Sequence, residues 1–109
     1  MVTVPARQGL EAVDILRLRD EVGPVLHDAP GDTLGFLVPP GTAACWDLPG
    51  SACTQTLVRP RATAEEPPVA GTGWLVPPAT AYAVATEPAR LREALGEAAR
   101  TIEAADRCH

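Results

Sequence analysis

The 109-residue chain has no lysine and no asparagine, and its nine cationic side chains, all arginine, face fourteen carboxylates, for a net charge of −5. A protein that binds duplex nucleic acid by itself gathers cations to displace phosphate counterions. The scattered, outnumbered arginines exclude strong autonomous binding of that kind. Ser51 is the only serine; it has no G-x-S-x-G setting and no assignable His/Asp pair, which argues against a serine nucleophile. Cys45, Cys53 and Cys108 form no C-x-x-C pair and have only His27 and His109 as imidazole partners. A structural zinc site usually shows two close ligand pairs, so the thiols read as reduced and either buried or incidental. No apolar run approaches the roughly 20 residues of a membrane helix. Met-Val-Thr-Val-Pro lacks the basic and apolar regions of a secretory leader, so the chain reads as cytoplasmic. Gly31, Gly35, Gly71 and Gly73 precede strands rather than a helix N-terminus, which argues against a phosphate-cradling loop.

What the chain does contain is an internal repeat. Gly35-Phe36-Leu37-Val38-Pro39-Pro40-Gly41-Thr42-Ala43 recurs as Gly73-Trp74-Leu75-Val76-Pro77-Pro78-Ala79-Thr80-Ala81, identical at seven of nine positions. Each copy reads as an apolar strand stopped by a proline pair, since proline fixes φ, lacks an N–H and restricts the residue before it. Met1 to Val4 is a short β-prone piece. Gly9 to Val22 reads as a helix with Leu10, Val13, Leu16, Ile15, Leu18 and Val22 on a broad apolar side, stopped by Gly23-Pro24. A strand begins at Val25 and ends near Asp28. The turn formers Ala29-Pro30-Gly31-Asp32 join it to a strand over 34–38 as an antiparallel hairpin. Residues 54–59 read as a fourth strand, 61–68 as a loop, and 73–76 as a fifth strand.

Residues 86–106 carry the clearest helical pattern. Thr86 reads as its N-cap, with Glu87 and Pro88 in the first turn. Leu91, Leu95, Ala98, Ile102 and Ala105 form one narrow apolar stripe. Glu93 and Glu97 are a like-charge i,i+4 pair, so packing must hold this helix. The order is β-α-β-β-β-β-α in a single domain, residues 1–109. This is an α+β fold with a small, mainly antiparallel sheet of about five strands and two helices against it. The first strand, first helix and second strand suit a right-handed βαβ crossover.

Few side chains offer chemistry. Asp28 and Asp32 flank the hairpin turn four residues apart and are the nearest approach to a metal pair, although turn acids are commonly just solvated. Arg59 and Arg61 form the one local cationic spot, suited to a phosphate or to a solvated strand exit. Phe36 and Trp74 hold equivalent places in the two repeats and read as core. Trp46, beside Pro49-Gly50, is the better aromatic contact for a ligand or a nucleobase.

The succession Val2-Thr3-Val4-Pro5, Leu10-Glu11-Ala12-Val13-Asp14-Ile15-Leu16, Glu21-Val22-Gly23-Pro24-Val25, Gly35-Phe36-Leu37-Val38-Pro39-Pro40-Gly41 and Gly73-Trp74-Leu75-Val76-Pro77-Pro78 resembles the bifunctional DNA primase/polymerase N-terminal (prim-pol) family, over about residues 1–82. It is most similar to the divergent actinobacterial type, and the bias toward alanine, arginine, proline and glycine suits a GC-rich genome. The resemblance implies nucleotidyl transfer supported by Mg²⁺ or Mn²⁺ on an Asp-x-Asp pair at the end of the strand before the first helix. The matching positions are Thr3-Val4-Pro5, without either aspartate. The family's histidine is also absent from Pro30-Gly31-Asp32-Thr33-Leu34-Gly35-Phe36, and the family's additional N-terminal sequence does not precede the strand.

The resemblance therefore implies a truncated, degenerate relative, a pseudoenzyme with no cofactor that serves as a binding or regulatory module in DNA replication. Its partners would be a protein or a second copy, not a membrane. Two alternatives stand beside it. One is an active primase/polymerase-type nucleotidyl transferase that takes its Mg²⁺ or Mn²⁺ ligands from elsewhere. The other is a small structural or interaction protein with likeness at the level of fold alone.

Overall fold

The computed structural model describes residues 1–28, 32–39, 41–42, 46–48, 51–53, 73–77, 80–81 and 85–107. Its elements follow the expected order: β1 (Val2–Pro5), α1 (Ala6–Leu18), β2 (Val25–Asp28), β3 (Thr33–Phe36), β4 (Ala52–Cys53), β5 (Gly73–Val76) and α2 (Pro88–Arg107). The five strands form one sheet in the order β4-β1-β3-β2-β5, with every pairing antiparallel. The fold is α+β. Since β1 and β2 are each antiparallel to β3, they run parallel to each other with β3 inserted between them, a split β-α-β unit. The expected crossover thus joins strands that are not neighbours. The strand read over 54–59 lies outside the described residues; the fourth strand here is the two-residue β4 on the edge beside β1.

Alternation along the strands decides which face is covered. Val2 and Val4 stand opposite Phe36 and Leu34, and Val25 stands opposite both Phe36 and Val76. These six side chains join Ala6, Ala12, Val13 and Leu16 of α1 and Leu91, Ala94, Leu95 and Ala98 of α2 in one core. Strand side chains on this one face meet a single layer of helices, as a half-covered antiparallel sheet requires. Leu26 lies on the opposite face and is also buried.

The first helix starts three residues before the expected Gly9. Pro5 is both the last residue of β1 and the N-cap of α1, and the Ala6 amide, one of the donors a helix start leaves unpaired, goes to the Asp32 carbonyl at 2.9 Å. The helix ends at Leu18, four residues short of Val22. Asp20 sits at φ 55°, its N–H bonds Arg17 O at 3.1 Å, and Glu21 N–H bonds Leu16 O at 2.9 Å. This is a Schellman ending with aspartate where glycine is usual. Leu10 and Leu18, read on the apolar side, are exposed at 48% and 88%.

Thr86 does not cap α2. Its fully buried hydroxyl accepts the Gly23 amide at 3.0 Å, and its own amide donates to Leu37 O at 2.8 Å. The threonine therefore ties the approach to β2, the exit of β3 and the approach to α2 together. The helices run antiparallel: Arg7 pairs with Asp106 at one end, while Arg90 pairs with Glu21 and Arg19 with Glu97 at the other. Arg19 also lies 3.6 Å from Glu93, so it bridges the two like charges of α2.

Candidate functional site

The end of β1 is where the resemblance places metal-holding carboxylates. Thr3 is half-buried and faces away from the helices, opposite Gly35. Val4 is 1% exposed and belongs to the core. Pro5 is exposed, opposite Thr33, and leads into α1. The β2–β3 hairpin brings both sequence-nominated aspartates to this same edge. Asp28 pairs with Thr33, the neighbour of Pro5 on its other side, and Asp32 is exposed in a left-handed conformation (φ 50°), its carbonyl held by the Ala6 amide. Among the described residues no group of three His, Cys, Asp or Glu side chains converges as a cation site. His27 lies within β2, half-buried and opposite Leu34.

A groove of about 520 Å³ opens beside Pro5, between the first turn of α1 and the last turns of α2. Pro5, Ala99 and Ile102 give it an apolar floor. Its rim is charged, but the charges are mutually engaged. Arg7 Nη2 donates to Asp106 Oδ1 at 2.9 Å, and Arg107 pairs with Glu103 one helical turn away. Gln8 Nε2 donates to Leu95 O at 3.1 Å. The groove therefore offers contact area and shape rather than a free charge. Ile102 was legible as part of the α2 stripe, but its facing partners Pro5, Arg7 and Gln8 come from the other end of the chain and leave no local signal.

The other nominated residues fall elsewhere. Trp46 is half-buried against the core; its indole N–H donates to Ser51 Oγ at 2.8 Å, and Ser51 in turn donates to Leu48 O at 2.8 Å. Its polar handle is thus spent within its own loop. Arg92 reaches the same loop through Asp47 at 2.6 Å. Arg59, Arg61, Cys45, Cys108 and His109 lie outside the described residues.

The two repeat aromatics do not share a role. Phe36 is fully buried beneath the helices, whereas Trp74 pairs with Leu26 and faces away from them, its indole N–H buried without a partner. Burial pushes the Met1 α-amino group below its usual range, and the neighbouring Cys53 thiol works the other way.

Comparison with family models, with curated proteins and with solved structures finds no match to this chain.

Proposed function

We propose that this chain is a prim-pol-like domain without polymerase chemistry, acting as a binding or regulatory module linked to DNA replication. The observation that carries the reading is the β1–α1 junction. A core valine and a helix-capping proline occupy it, and Thr3 on the strand before them supplies at most a neutral oxygen. Two-metal displacement needs several anionic oxygens on each hard cation. The apolar-floored groove next to the junction, with its rim charges already paired, suits a protein partner better than a polyanion. With a primed template, nucleotides and Mg²⁺ or Mn²⁺, the protein should yield no extension product. Template-dependent extension overturns the proposal.

One observation favours a second reading, an active nucleotidyl transferase that takes a metal at the same edge. The hairpin carries Asp32 to the place where β1 passes into α1, with Asp28 across Thr33 in the same row. That reading requires a rise in melting temperature of several degrees with nucleotide plus Mn²⁺, because a ligand bound only to the native state stabilises it by mass action. The rise must also vanish in Asp32→Asn. An unchanged melting curve together with absent extension removes this reading.

A further inference from the structure

We draw no further inference here: the strongest candidate, the apolar-floored groove between the first turn of α1 and the last turns of α2, belongs to the site already described, and nothing in the structure shows what covers it.

Discussion

Gly23 and Thr86 are 63 residues apart in sequence and joined by one buried hydrogen bond. A Cβ on Gly23 would lie 2.6 Å from the Ala85 carbonyl carbon and from the Thr86 nitrogen, both backbone atoms. Backbone cannot swing aside as a side-chain tip does, so Gly23→Ala should cost about 3 kcal/mol in urea unfolding, at the upper end of overpacking penalties. Thr86→Val keeps the shape but strands the Gly23 amide, at a cost of roughly 1–3 kcal/mol. The two losses should fall short of additivity in the double mutant, since both act on one contact.

Helical glycines give an internal control on the same reasoning. At Gly96, among the described residues, a Cβ meets the Arg100 guanidinium alone, at 3.6 Å, so Gly96→Ala should raise stability by about 1 kcal/mol. At Gly9 it would press on Leu34 at 2.7 Å, with the Leu34 Cβ itself at 3.0 Å, so the same substitution should lower stability by about 1 kcal/mol despite the better helix former. Thr86 shows why such contacts escape a sequence reading. A threonine before Glu-Pro has the local chemistry of an N-cap, and nothing nearby announces that a distant amide has claimed its hydroxyl.

Among the elements, their order was legible and ends and facing were not; β4 at Ala52–Cys53 was not read as a strand, and the strand read over 54–59 lies outside the described residues. The stripe Leu91, Leu95, Ala98 marks α2 correctly because helical periodicity is local; its last member, Ala105, is exposed because α2 runs on past the core. α1 was misplaced because its stop is an aspartate rather than a glycine, and the visible Gly23-Pro24 punctuation comes after a further turn. Asp20→Gly should therefore stabilise the protein by about 1 kcal/mol, by removing left-handed strain at that cap. Thermal melts at constant pH would register the gain.

The repeat gives the sharper lesson about facing. Its two copies flank β2, but a register shift between Val25 and Leu26 moves β5 so that Trp74 opposes Leu26, while Phe36 opposes Val25. A one-residue slip turns every side chain over. Phe36→Ala should cost about 3–5 kcal/mol. Trp74→Phe should be neutral within about 0.5 kcal/mol or stabilising, since it removes an unpaired buried donor. A large loss on Trp74→Phe would show that the indole N–H is bonded after all.

Across the whole molecule, packing rather than charge holds the two helices to the sheet. The ion pairs at either end of the helix pair are substantially exposed, and such pairs contribute about 0–1 kcal/mol each. Arg19 matters more than its neighbours because it separates Glu93 from Glu97. Arg19→Ala should lower the melting temperature at low salt, and the deficit should shrink as ionic strength rises. The candidate site likewise depends on how distant segments are brought together. Its aspartates could be nominated from turn chemistry, but the row in which Thr33 stands between Asp28 and Pro5 depends on β3 entering between β1 and β2, which no single segment encodes.

That insertion also has a bearing on biosynthesis. The three central strands and α1 are complete by Phe36, whereas α2, which shares their core, begins only at Pro88. A ribosome-bound chain halted before Pro88 would lack Leu91, Ala94, Leu95 and Ala98 from its core, and such intermediates are prone to self-association.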